Sequence, residues 1–180
     1  MDSRPWTGHP SGVVLWLLAW AGVGYWYDVI YRSRSAEVAA RDYCDTAGKP
    51  LLVVGAGTPG SSLRAQILGP QRSGEVNLDL AASAPCAGVD ELAWVTAGGP
   101  PCHGDAHDLS RWPDRTFGAV LATHVLEHLA DPDRALAEWR RVADRVYVVV
   151  PQPWWIHAWA HPGHRQVFVG GLDTRLPLWR

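Results

Sequence analysis

Two hydrophobic patterns divide the chain. From Gly12 to Tyr27 the sequence GVVLWLLAWAGVGYWY is almost wholly apolar, and no Asp, Glu, Lys or Arg occurs between Pro5 and Tyr27. Carried past Asp28 to Ile30, the run covers 19 residues, and a helix needs about 20 to cross a hydrocarbon core. Trp6, Trp26, Tyr27 and Tyr31 sit near its ends, as an interfacial aromatic belt requires. Residues 28–47 contain neither Gly nor Pro, so the helix is expected to continue through AEVAARDYCDTA until Gly48-Lys49-Pro50 stops it.

Beyond Pro50 the pattern changes to short apolar runs punctuated by Gly and Pro. LLVV at Leu51–Val54, the segment Phe117–Thr123 and the segment Val146–Val150 are apolar throughout rather than alternating. That is the signature of strands covered on both faces in a parallel sheet. Glu75–Asp79 (EVNLD) reads as a further short strand. SSLRAQIL reads as a helix opening on Ser61 or Ser62. Asp131-Pro132 forms an N-cap and first-turn pair, ahead of Leu136, Trp139, Val142 and Ala143 at helical spacing. Gly69–Gly74 (GPQRSG) is a turn, and Val89–Thr96 fits a short helix or a strand equally. Alternating strands and helices predict an α/β domain. The organisation expected is a tail at 1–11, a membrane-spanning helix with its extension at 12–47, and an α/β domain at 48–180.

Charge orients this arrangement. Arg4 precedes the apolar run, whereas Arg32, Arg34, Arg41 and Lys49 follow it. The positive-inside bias therefore puts the N-terminus outside and the domain in the cytoplasm, as a single-pass protein anchored through residues 12–30. Two other readings of the run are a helix that is buried or lies on a surface, and a cleaved signal peptide. Ala19-Trp20-Ala21 superficially offers the latter a cleavage site, but its basic leader is poor. A net charge of −2, with no basic stripe interleaved with aromatics, excludes a nucleic-acid surface. Three cysteines, Cys44, Cys86 and Cys102, lack paired metal spacing, and their odd number argues for reduced thiols of a cytosolic domain. Eleven tryptophans are an excess. Trp154, Trp155 and Trp159 are grouped, and on a helix Trp155 and Trp159 share a face. Docking on the membrane or on a membrane-protein partner is expected there.

Candidate chemistry begins where the first strand ends. Gly55, Gly57 and Gly60 follow LLVV directly, allowing a tight turn, close approach of a ligand, and an anion at the next helix start. Asp79 closes the second strand 24 residues after Gly55, where a carboxylate can accept hydrogen bonds from two ribose hydroxyls. Then come GDAHDL at Gly104–Leu109 and FGAVLATHVLEHLADPDRAL at Phe117–Leu136.

In this order the pieces resemble class I S-adenosylmethionine (SAM)-dependent methyltransferases across residues 51–151, most specifically over Gly104–Pro151. The resemblance implies a Rossmann-like sheet, SAM as cofactor, and a cofactor-binding set of Gly55, Ala56, Gly57, Gly60, Asp79, Leu80, Asp105, Ala106, Thr123 and His124. Asp105 resembles the residue that accepts the adenine amino group, with Ala106 supplying a backbone donor. Thr123 and His124 border the methionine end, and His124 is the candidate catalytic base. Four departures stand against these matches: Val53 replaces an acid, Pro59 enters the glycine loop, Ala143-Asp144-Arg145 replaces a Gly-rich turn, and only 30 residues follow Val150. The sheet is thus expected to be truncated at its C-terminal end, with its last strand pair missing or reduced to something like Gln166–Val169.

No metal site is expected. The H-x-x-E-H pattern His124–His128 needs both histidines on one helix, and His124 closes a strand instead. Pro162 and Gly163 interrupt the helix-like spacing of His157, His161 and His164. The activity implied is methyl transfer to a small or lipid-like acceptor. Its alternatives are a non-catalytic methyltransferase-like subunit or assembly factor of a membrane complex, and a nucleotide-sugar or dinucleotide enzyme, which fits Asp79 but neither GDAHDL nor HVLEHL.

Overall fold

β1 (Leu51–Val54) is buried along its whole length because each face meets its own layer of side chains. Leu51 and Val53 pack with Ala40, Cys44, Ala119 and Leu121. Leu52 and Val54 pack with Trp112, Phe117, Leu136 and Trp139 on the other side. The uniform run is therefore a two-sided interior strand. The computed structural model describes residues 10–57 and 73–178, with side chains from residue 13. Pro59, Gly60 and the helix expected from Ser61 or Ser62 lie outside the described residues.

β1 lies in a parallel sheet with β2 (Val76–Asp79), β3 (Cys102–His103), β4 (Phe117–Thr123) and β5 (Ala143–Val149). The strand order is β3-β2-β1-β4-β5. Leu52 pairs with Val76 on one side and with Val120 on the other. The chain goes outward to β3 and returns to β4 on the far side of β1, so the order switches between β1 and β4. In such sheets the crevice beyond the carboxyl ends of the strands at that switch takes ligands. This is the Rossmann-like α/β sheet expected.

The C-terminal strand pair is reduced, as expected: β6 (Gln166–Phe168) and β7 (Arg175–Pro177) form a separate antiparallel pair. Several details differ from expectation. β5 starts at Ala143 rather than Val146, immediately after its preceding helix. β3 has only two residues, too few for a hydrophobic pattern to reveal. Val89–Trp94, where a short helix or a strand fitted equally, is a short 3₁₀ helix.

The thiols require a correction. Cys86 and Cys102 are joined as a disulfide with Cα atoms 4.8 Å apart, and only Cys44 is free. An odd count leaves one cysteine over without forbidding a pair. The bridge of Pro85 to His103 beside β3 brings the two together.

The N-terminal segment is one continuous helical rod. α1 (Pro10–Tyr25) passes through a π-helical stretch, Trp26–Arg32, into α2 (Ser33–Ala47). Gly48 ends it at φ 64°, donating its N–H to the Cys44 carbonyl. Ala40 and Cys44 of α2 cover the sheet. Val13–Ala47 is long and apolar enough to cross a membrane, and little of its most apolar part is covered by the domain. Trp16, for instance, is 72% exposed.

The π-helical stretch is where the rod meets the chain's C-terminal segment. Asp28, with 0% exposure, accepts the Arg32 guanidinium at 2.7 Å and the Gln152 N–H at 2.8 Å. Arg32 also donates to the Val150 carbonyl at 2.8 Å. Trp154 packs on Trp20 and Tyr27. The Trp155 ring lies against Gly24, where any β carbon would collide with it. Trp155 is only 3% exposed, which corrects its assignment to a partner surface: its face is already occupied by the chain's own helix. Trp154 and Trp159 remain partly exposed.

Candidate functional site

The glycine turn is built by backbone necessity. Gly55 has φ 68° and Gly57 φ 77°, a region that side chains disfavour. The N–H groups of Gly55 and Ala56 both donate to the Leu78 carbonyl, at 2.8 and 3.1 Å, fastening the turn to the end of β2. A β carbon on Gly55 would fall on Cγ2 of Val125. The turn therefore lies directly under the segment that follows β4.

Asp79 sits where β2 ends, and its carboxylate is held from both sides. Oδ2 accepts the Gly57 N–H and Oδ1 the Ala81 N–H, each at 2.8 Å. Each oxygen keeps acceptor capacity, the geometry a vicinal diol can use. Leu80 beside it is 68% exposed.

Asp79 pairs in register with His103 on β3, which brings Gly104-Asp105-Ala106 to the same edge. Asp105 Oδ1 accepts the His107 N–H at 2.9 Å and meets His107 Nδ1 at 2.7 Å. The His107 backbone bond is the main reason that the Asp105 carboxyl lies below its ordinary range. Ala106 is buried, and its carbonyl accepts the indole N–H of Trp139 at 2.9 Å. Trp139 belongs to α3 (Pro132–Val142), which Asp131 caps by accepting the Arg134 N–H at 3.0 Å. The position of Ala106 is thus set by the core, a dependence the motif did not reveal.

Thr123 closes β4 and His124 follows it directly. His124 has φ 57°, uncommon for a side-chain-bearing residue, and its N–H is held by the Val149 carbonyl at 2.8 Å. Its Nε2 lies 3.4 Å from the Asp28 carbonyl, and its Nδ1 3.5 Å from Oε1 of Glu127. The ring is therefore engaged between the N-terminal rod and a buried carboxylate. The residues that sequence reasoning missed here are Asp28 and Val125. An acid closing an apolar run, with Arg32 four residues on, was the available sign of the first; nothing local marks the second.

Glu127 and His128 lie in a single 3₁₀ turn, Leu126–His128. Glu127 is 1% exposed. Burial works to raise its pKa, but the imidazoles of His124 and His128 outweigh it and hold the carboxyl below its ordinary range. His128 reaches across to His161 and His164, which follow α4 (Ile156–Ala160) and in turn meet His157 of that helix. The rings of these four histidines interleave, with neighbouring centroids 4.5 to 5.4 Å apart. Burial, reinforced by His161 and His164, depresses the His157 pKa to about 4.

The structure thus brings Gly55, Ala56, Gly57, Asp79, Leu80, Asp105 and Ala106 to the carboxyl end of the sheet, with Thr123 and His124 across the switch. Gly60 lies outside the described residues. Comparison with known families matches residues 53–145 to one described as "Methyltransferase domain". No curated protein and no solved structure matches the chain.

Proposed function

This chain belongs to the class I SAM-dependent methyltransferase family, and from that premise we propose that it binds SAM at the switch of its sheet and transfers the methyl group to a small or lipid-like acceptor beside a membrane. One observation carries the reading: the Asp79 carboxylate, oriented by Gly57 and Ala81, stands at the end of β2 beside the positive-φ glycine turn. Acceptor capacity at Asp79 beside the glycine turn fits a ribose diol.

When bound, SAM supplies an electrophilic methyl group on a sulfonium. The chain's contribution is to bind and orient. Asp79 would accept the ribose hydroxyls, with Leu80 beside it, Asp105 and Ala106 would hold the adenine, and Thr123 and His124 would hold the methionine end. With the His124 ring engaged by Asp28 and Glu127, its part is to shape that end. The acceptor then brings its own nucleophile, and rate enhancement rests on alignment.

The apolar rod supports anchoring through residues 12–30, with Trp16, Trp26 and Tyr31 exposed to lipid. The cations Arg32, Arg34, Arg41 and Lys49, which follow the run, favour the cytoplasmic side for the domain. The Cys86–Cys102 disulfide stands against that side, because a cytoplasmic domain would keep the pair largely reduced.

The test is transfer of labelled methyl from SAM into the organic phase, using the full chain in vesicles of total membrane lipid. Wild type is expected to label a lipid-soluble product, and Asp79→Ala to lose that activity. A second reading, a non-catalytic subunit of a membrane complex, is favoured by Val53, fully buried where the family carries an acid. SAM binding without transfer to any membrane fraction would select it.

A further inference from the structure

The imidazoles beside the turn after β4 have a purpose that methyl transfer does not use. We propose that His128, His161 and His164, with the Glu127 carboxylate, form a binding site for a divalent transition-metal ion of the zinc class. The ion clips the turn at Leu126–His128 to the segment that grips the N-terminal rod. The inference is independent of whether the chain transfers methyl groups.

One ligand nitrogen from each histidine of the triad lies within 4.8 Å of the others. A tetrahedral ion with metal–nitrogen bonds of about 2.0–2.1 Å holds its ligands roughly 3.3 Å apart. Small rotations of the rings close that gap.

Hydrogen bonds prepare two of these rings. His128 Nδ1 is 2.9 Å from the Gly163 carbonyl, and His164 Nδ1 is 2.9 Å from the Ala158 carbonyl. A carbonyl only accepts, so each Nδ1 carries the proton and each Nε2 presents a lone pair. Anchoring of the distal N–H by a backbone carbonyl is the support that metal-bound histidines characteristically have. His161 differs: its Nδ1 accepts the Gly163 N–H at 3.1 Å, a bond it gives up on coordination through either nitrogen.

Glu127 is the independent sign that points to a cation. Its carboxylate is buried, neither oxygen has a hydrogen-bond partner, and His124 Nδ1, at 3.5 Å from Oε1, compensates its charge from one side only. Oε1 lies 3.9 Å from His164 Nε2, within reach of the same ion. A buried carboxylate left this way is costly, and a bound cation removes the cost. The two halves of the site are also prearranged without metal. The Glu127 carbonyl accepts the Arg165 N–H at 2.8 Å, and the Gln166 amide donates to the carbonyls of Leu126 and Leu129. Imidazole with carboxylate suits zinc-class ions. The proposed ligand set is assembled across two segments, with His128 in place of His157 of the helix-like 157, 161 and 164 spacing.

The experiment uses the untagged full chain in detergent, stripped with chelator. Calorimetry with Zn²⁺ and absorption with Co²⁺ are the readouts. The expected result is one ion per chain, intense visible Co²⁺ bands, and a higher Tm with Zn²⁺. His161→Ala, at a partly exposed position, and Glu127→Gln, which preserves shape, should each weaken binding about tenfold or more. His157→Gln should leave it unchanged. No saturable Zn²⁺ binding and no Co²⁺ bands in folded wild type would overturn the proposal, as would binding that survives both His161→Ala and His164→Gln.

Discussion

At Gly55 two separate constraints coincide: a positive φ, and Val125 occupying the place of a β carbon. Gly55→Ala is expected to lower stability by about 2–4 kcal/mol, combining left-handed backbone strain with overpacking. Urea denaturation checks this. Adding Val125→Ala should restore the steric part and leave the backbone part.

His157 supports a pH prediction at the same scale. Its pKa falls from 6.5 to about 4 in the folded chain, so between those values the unfolded chain binds more protons. Stability is then fully present above pH ~6.5 and is lost as pH falls towards ~4, by roughly 1–2 kcal/mol once partial exposure is allowed for. His157→Gln should flatten that part of the profile, measured in chelator. The glycines and Asp79 were legible in the sequence because turn and ribose chemistry restrict residue type at fixed spacing. The role of His124 was not, since its partners Asp28 and Glu127 come together only in the fold.

Among the elements, uniform apolar runs identified β1 and β4 without ambiguity, and capping identified α3. The same rules could not find a two-residue β3 or a π-helical stretch, which carry no period of their own. They also missed the seam between rod and domain, because an aromatic cluster looks alike whether its partner is foreign or the chain itself. Trp155→Ala should therefore cost about 3–5 kcal/mol, the penalty of an aromatic removed from an interior. Trp159→Ala, which removes a half-exposed ring bonded to the Pro153 carbonyl at 2.7 Å, should cost only about 1 kcal/mol. Comparative thermal unfolding in mild detergent distinguishes them; equal, small losses would mean that the seam is not part of the stable fold.

For the whole molecule, compartment can be read from the thiols. Burial pushes the Cys44 thiol up to about 11, so labelling has to follow acid quenching and denaturation. With the domain in the cytoplasm, three thiols should react. One would place it in an oxidising compartment, with Cys86–Cys102 as a standing bond. The methyltransferase class was legible because four motifs occur in order across one sheet. The proposed membrane orientation rests only on cation asymmetry, and no motif names an acceptor, since β6 and β7 are short. The most direct test of SAM binding at the switch is calorimetric titration of the folded full chain. The expected result is a saturable one-to-one isotherm that Asp79→Ala weakens about tenfold or more, as loss of a paired acceptor costs about 1.5–3 kcal/mol. No heat and no thermal shift at millimolar SAM, with the protein demonstrably folded, would contradict it.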